Sequence, residues 1–249
     1  MGAPVAAAHR RAAARHRGRD PGAGERGGVY RRLGERLVND GYLVRAVDGL
    51  DDPEGLDADL LAALDGPGPV VLLGSDTGAL WALALADRLR AHGVPLAGAV
   101  AAGVPARPDA TGGSPLVEST WAAELEARTG CRVHRARLAD DLTLRRGDVL
   151  DADLAADAWA ALDAADGPTE VPVLLLHGRA DLLSPVERVV GLARRLPRAR
   201  LVTVAGGRHD VLNDVHHRSV AAQVVSFLER LRLSADLPQV IHVEEGSGW

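Results

Sequence analysis

The sequence predicts an α/β fold, with a mostly parallel sheet, helices on both faces and a small helical insertion. Two observations point there. Short, wholly apolar runs such as Pro69–Gly74 and Val171–Leu176 read as strands buried on both faces, which happens when helices cover both sides of a parallel sheet. Helical patterns alternate with these runs, so the connections are crossovers rather than hairpins. At 249 residues the chain is long enough for one such domain with an insertion. No internal repeat is evident.

Taken in order, Tyr30 to Asp40 is an amphipathic helix with Leu33 and Leu37 on one face and Gly41 as its stop. Tyr42 to Asp48 is a strand, Leu56 to Leu64 a helix, and Pro69 to Gly74 a strand. Gly78 to Ala91 is rich in Ala and Leu, which predicts a helix buried on several faces. Leu96 to Ala102 is the next strand. Residues 107–168 lack strand signals but have helical stretches around Thr120–Arg128 and Ala152–Ala165, so they are expected to form a helical cap insertion. Strands resume at Val171–Leu176 and Arg200–Val204, separated by a helix over Pro185–Leu196. A last helix covers Asn213 to Leu233. The core is therefore expected at 28–106 and 169–235, followed by a tail at 236–249.

Composition narrows the function classes. Hydrophobic residues make up 47% and charged residues 25%, as in ordinary globular proteins. A formal charge of −5 gives no overall attraction for nucleic acid or an anionic membrane, and no apolar run approaches the roughly 18 residues of a bilayer span. The partner expected is a small-molecule substrate, with no nucleic acid and no membrane. The single cysteine, Cys131, excludes an internal disulfide and fits a cytoplasmic location. All 29 basic residues are arginine, a bias that points to a GC-rich genome.

Residues 1–27 differ from the rest. Arg10, Arg11, Arg15, Arg17 and Arg19 interleave with alanine, which predicts a disordered basic tail. The apolar stretch of roughly 7–15 residues that a secretory signal requires is missing. An arginine- and alanine-rich head is also what a misplaced start codon produces in such a genome, so the true amino terminus is expected to differ.

Gly74-Ser75-Asp76-Thr77-Gly78 ends one apolar strand and opens a helix. The form is Gly-x-nucleophile-x-Gly, with aspartate where serine is usual. A sharp strand-to-helix turn of this kind exposes the central side chain in a strained conformation that small flanking residues permit. A frame shifted to Ser75 would need glycines at 73 and 77, where Leu73 and Thr77 stand. The competing reading of Asp76 is a helix cap.

In an open parallel sheet, chemistry gathers at the carboxyl ends of the strands. Asp181 follows one strand in His177-Gly178-Arg179-Ala180-Asp181, and His209 follows the last in Gly206-Gly207-Arg208-His209-Asp210. Ser184-Pro185-Val186-Glu187 has the form of a capping box with proline at the first helical position. Gly206 and Gly207 allow a tight turn that brings His209 back over the sheet.

The order nucleophile, acid, histidine with these motifs resembles the α/β-hydrolase superfamily. His-Gly-x-x-Asp followed by Gly-Gly-x-His-Asp is similar to its monoacylglycerol-lipase and serine-aminopeptidase-like branch, from Val29 to Leu233. The resemblance implies an α/β-hydrolase fold without metal or organic cofactor, with Asp76 as nucleophile, His209 as base and Asp181 as the acid that orients it. It also implies an oxyanion hole from the amide of Thr77 and from a loop near Gly24, with Trp121 and Trp159 of the insertion available to line a substrate pocket.

An aspartate, with a pKa of about 3.9, is already ionised at neutral pH. It would displace a leaving group from sp³ carbon to form an ester, which His209 would then hydrolyse by activating water. Haloalkane dehalogenases and epoxide hydrolases work this way. Thr77 stands where such dehalogenases have a halide-holding Trp, and the two tyrosines, Tyr30 and Tyr42, both precede the elbow. Two other functions stand beside this one: an esterase- or lysophospholipase-like acyl hydrolase, and a non-catalytic binding protein on the same fold. His209, Asp214, His216 and His217 lack the spacing of helix-borne zinc ligands. Cys131 with His134 reads as structural, and Arg145-Arg146 as a solvated pair.

Overall fold

The computed structural model describes residues 4–9, 27–48, 68–108, 120–141, 144–165 and 169–242. Six parallel strands form one sheet: β1 (Pro4–His9), β2 (Leu43–Asp48), β3 (Val70–Ser75), β4 (Leu96–Ala102), β5 (Val173–Gly178) and β6 (Ala199–Val204), in the order β2-β1-β3-β4-β5-β6. The helices are α1 (Arg31–Asn39), α2 (Thr77–Ala91), α3 (Trp121–Arg128), α4 (Arg132–Asp140), α5 (Ala152–Asp163), α6 (Val186–Arg195) and α7 (His217–Leu233).

Every residue of β3 and β5 is buried, and the period of two divides them between two cores. Val70, Leu72, Val173 and Leu175 face α2, α5 and α6, whereas Val71, Leu73, Leu174 and Leu176 face α1 and α7. Helix α2 is buried around most of its circumference, as its Ala/Leu composition predicts. Leu80, Leu83 and Leu89 are at most 1% exposed, and burying each contributes about 1.5–3 kcal/mol. That is enough to hold a strained turn at its start.

Three expectations are corrected. The 1–27 segment was expected to hold no strand, yet Pro4–His9 is β1, paired on both sides. Its sequence has one β-branched residue, Val5, and weak intrinsic preference. Pairing with β2 and β3 satisfies the backbone on both edges and overrides it. Residues 107–168 were expected to act together as a cap. Instead α5 belongs to the body, where Ala158, Trp159 and Leu162 join the core beside α2, while α3 and α4 pack elsewhere. Helix α4 had no sequence signal strong enough to be expected. Finally, the capping box does not form. Helix α6 opens at Val186 with Pro185 at its cap position and no side-chain cap, and Ser184 lies one residue before that position, its amide donating to Asp181.

The helix expected at Leu56–Leu64 lies outside the described residues. The first residues of the expected C-terminal tail fold back, with Arg230 Nε donating to Pro238 O at 3.0 Å.

Candidate active site at the carboxyl edge of the sheet

Because all six strands run in one direction, the residues after β3, β5 and β6 emerge on the same edge. The turn after β3 is strained as its sequence predicts. Asp76 has φ 54° and ψ −130°, a conformation costing on the order of 1–3 kcal/mol for a non-glycine residue. Gly74 is required for a separate reason: a Cβ there would overlap the Gly78 carbonyl. Asp76 precedes α2, but its side chain does not cap the helix. It faces His209 instead.

His209 sits between two carboxylates. Nδ1 lies 2.8 Å from Asp181 Oδ2, and Nε2 lies 3.4 Å from Asp76 Oδ1. The first contact is a hydrogen bond that fixes the ring. The second is an ion-pair approach too poorly aligned to be one, so buried Nε2 makes no hydrogen bond among the described residues. Such contacts often tighten only when substrate is bound.

Asp181 is held from three directions. Oδ1 accepts the amides of Leu183 at 2.8 Å and Ser184 at 3.0 Å, leaving Oδ2 for His209. Behind it, buried His177 has Nε2 2.8 Å from Ser184 O and 3.4 Å from Asp181 Oδ2. His177 was visible in the His-Gly motif, but nothing in the sequence assigned it this place.

The electrostatics follow from these contacts. Burial pulls the His209 pKa down, but Asp181, and then Asp76, outweigh it and hold the imidazolium form well above the usual histidine range. For Asp181, burial pushes upward, and the His209 charge and hydrogen bond win, keeping the carboxyl below its ordinary value. Burial keeps His177 below the usual range despite Asp181, so it is neutral.

Two glycines admit the histidine loop. Gly206 turns the chain at φ 64°. Gly103, at the end of β4, has φ 54°, and a Cβ there would run into the His209 carbonyl. No sequence motif marks Gly103.

Thr77 is buried as the first residue of α2, directly after Asp76. Gly24 lies outside the described residues. The register places Ala8 of β1 opposite Gly74, so β1 ends beside the elbow. The tryptophans are anchored differently from one another. Trp159 is buried in the body core, its Nε1 donating to Pro105 O at 3.2 Å and Arg107 lying 4.4 Å from its ring centre. Trp121 is partly exposed at the start of α3, under Arg146 at 4.8 Å. Tyr30 and Tyr42 are buried in the other core, and Tyr42 Oη donates to Glu229 at 2.5 Å.

The remaining polar residues have structural partners. Asp214 accepts from Thr129 Oγ1 at 2.9 Å, Gly130 N at 2.7 Å and Arg208 N at 2.7 Å. His217 Nδ1 is 3.0 Å from Asp214 O. His134 pairs with Asp210 rather than Cys131, and Cys131 Sγ accepts a long contact from Arg32 at 3.9 Å.

A parallel sheet flanked by helices, with an acid and a histidine on its last two strand ends opposite a strained elbow, is the α/β-hydrolase fold. More narrowly, residues 153–238 match the family described as TAP-like protein. Among solved structures, the chain is similar to a monoacylglycerol lipase of Paleococcus ferrophilus (16% identity, TM-score 0.64, covering 96% of this chain and 97% of that one). A Saccharomyces cerevisiae monoglyceride lipase, in a soluble variant with a substrate analogue, shares 16% identity at a TM-score of 0.67, over 92% and 86% of the two chains. An esterase of Thermogutta terrifontis shares 22% identity at a TM-score of 0.57, over 93% and 91%. No protein of curated function matches the sequence. No helix among the described residues is long and apolar enough to cross a membrane.

Proposed function

We propose that the chain is a hydrolase of small organic substrates with Asp76 as nucleophile, His209 as base and Asp181 as the acid that orients the base. The observation that carries this reading is the position of His209, with Nδ1 fixed by Asp181 and Nε2 directed at the strained Asp76.

The charges suggest a sequence of events. In the resting site the imidazolium faces the Asp76 carboxyl group. Asp76 attacks an sp³ carbon, its oxygen forms the new C–O bond, and the leaving group departs with the bonding electrons. Esterification removes the Asp76 charge and with it part of what holds the proton on His209. His209 then releases that proton to the leaving group or to solvent, and neutral Nε2 takes a proton from water. The hydroxide adds to the ester carbonyl, with the Thr77 amide as the oxyanion donor this reading assigns. Collapse frees the alcohol and regenerates Asp76.

Acyl hydrolysis is the second reading, favoured by the neighbouring lipases and esterase. It is less natural here, because attack by a carboxylate on an acyl ester gives an anhydride. A pocket lined by Trp121, Trp159 or both belongs to the proposal, as do a second oxyanion donor near Gly24 and a cytoplasmic location.

The test is intact-mass spectrometry of His209→Gln exposed to pooled alkyl halides, epoxides and activated esters. Removing the base stalls the second half-reaction. An adduct mapped to Asp76 supports the reading, and its mass identifies the substrate class. Folded protein without an adduct contradicts it.

A further inference from the structure

Beside His209 lies a second buried histidine–carboxylate couple that the chemistry above does not use. Asp210 follows His209 in the chain and is 3% exposed, and His134 of α4 is 0% exposed. His134 Nε2 lies 2.5 Å from Asp210 Oδ2, and Asn213 Nδ2 donates to the same carboxylate at 3.2–3.3 Å. The backbone repeats the connection, since Asp210 N donates to Arg128 O at 2.8 Å and His209 N to Ala127 O at 3.4 Å.

We propose that His134 and Asp210 are positioning residues for His209, fastening its loop to helices α3 and α4 so that the insertion and the base are held as one unit. The inference rests on reading His209 as the base. Taking an imidazole and a carboxylate out of water is expensive, and an apolar pair of similar volume often serves stability as well or better. What the couple adds is direction. It holds Asp210 at a defined distance from α4, and His209, one peptide away, inherits that placement.

The neighbourhood supports the same division of labour. Arg128, the charged group facing Asp210 from α3, is itself held by buried Glu124 at 2.9 Å. Burial pushes the Asp210 carboxyl up, but His134, joined by Asn213 and Arg128, keeps it below the usual range and therefore ionised. Arg208, on the other side of His209, is tied to the same insertion. Its guanidinium donates to Glu126 O, and its amide to Asp214. Loss of the couple would let the loop slide, and a displacement of about 1 Å at a catalytic group can cost about 10²-fold in rate.

Histidine NMR titration of the full chain tests this without a substrate. In His134→Ala, the midpoint of His209 should fall by about one pH unit or more as its contacts with Asp181 and Asp76 loosen. Direct electrostatics predicts the opposite sign, because removing His134 leaves Asp210 negative nearby and would raise the midpoint. His134→Gln keeps a donor toward Asp210 and should restore the wild-type value, and Asp210→Asn should lower it. An unchanged or raised His209 midpoint in folded His134→Ala overturns the proposal, as does failure of His134→Gln to restore it. If His134→Ala does not fold, His134→Leu, which fills the space and keeps the Asp210 charge, decides: a His209 midpoint at or above the wild-type value overturns it. The outcome is separable from that for the proposed function, since a shifted midpoint with no adduct at Asp76 supports positioning and contradicts only the chemistry.

Discussion

His209 Nε2 stands 3.4 Å from Asp76 Oδ1, while its Nδ1 is hydrogen-bonded to Asp181 at 2.8 Å. The asymmetry fits the two roles proposed for Asp181 and Asp76. The short, aligned contact orients the ring, and the looser one leaves Nε2 a direction in which to work. A pair built only for stability would have closed both.

Asp181→Asn should preserve the fold, because the amide oxygen can still accept from Leu183 and Ser184. The His209 ring would lose its orienting charge. Hydrolysis of the Asp76 ester should slow by about 10⁴-fold, with formation of the ester much less affected. Rapid-quench mass spectrometry of both half-reactions checks this.

Stability should depend on pH with opposite signs at the two ends. The folded-state pKa of His209 is raised, so its stabilisation is complete below the unfolded value of about 6.5. That stabilisation is lost as pH rises through the higher folded value. Asp181 and Asp210 are depressed. Theirs is present above the unfolded carboxylate value and is lost as pH falls through the folded one. Denaturant titrations across the pH range should show a maximum between these limits, and His209→Gln should flatten the alkaline side while also weakening the Asp181 share of the acid side.

Gly103→Ala should damage both stability and the site. The added Cβ meets the His209 carbonyl at a backbone φ of 54°, and strain of that kind costs on the order of 1–3 kcal/mol. We expect a lower Tm together with a reduced His209 midpoint in NMR titration. Gly93→Ala has a comparable positive φ of 84° and no neighbour within 4 Å of its Cβ. It should lose stability while leaving the midpoint unchanged.

Most of the sheet was legible because fully buried strands have no polar face. The Leu96–Ala102 boundaries agree residue for residue, and β3, β5 and β6 shift by one or two. That Asp76, Asp181 and His209 would come together was legible because glycines and strand ends mark them. What escaped notice depends on partners distant in sequence. Pro4–His9 is a strand only because two neighbours pair with it. Ser184 lies one residue before the cap position of α6, which Pro185 occupies, and its amide donates to Asp181. His134 finds Asp210 across 76 positions, a separation that no local pattern reveals. Residues 107–168 looked uniform, since helical periodicity does not say which helices pack on the body.

The central claim is that an Asp76 ester is cleaved by water at its carbonyl carbon. Single-turnover hydrolysis in ¹⁸O-labelled water, using the substrate class found by adduct mass, tests it most directly. The account predicts that the heavy oxygen appears in the peptide containing Asp76 and that the first alcohol released carries none. Label appearing in the product on the first turnover, with Asp76 unlabelled, would contradict it.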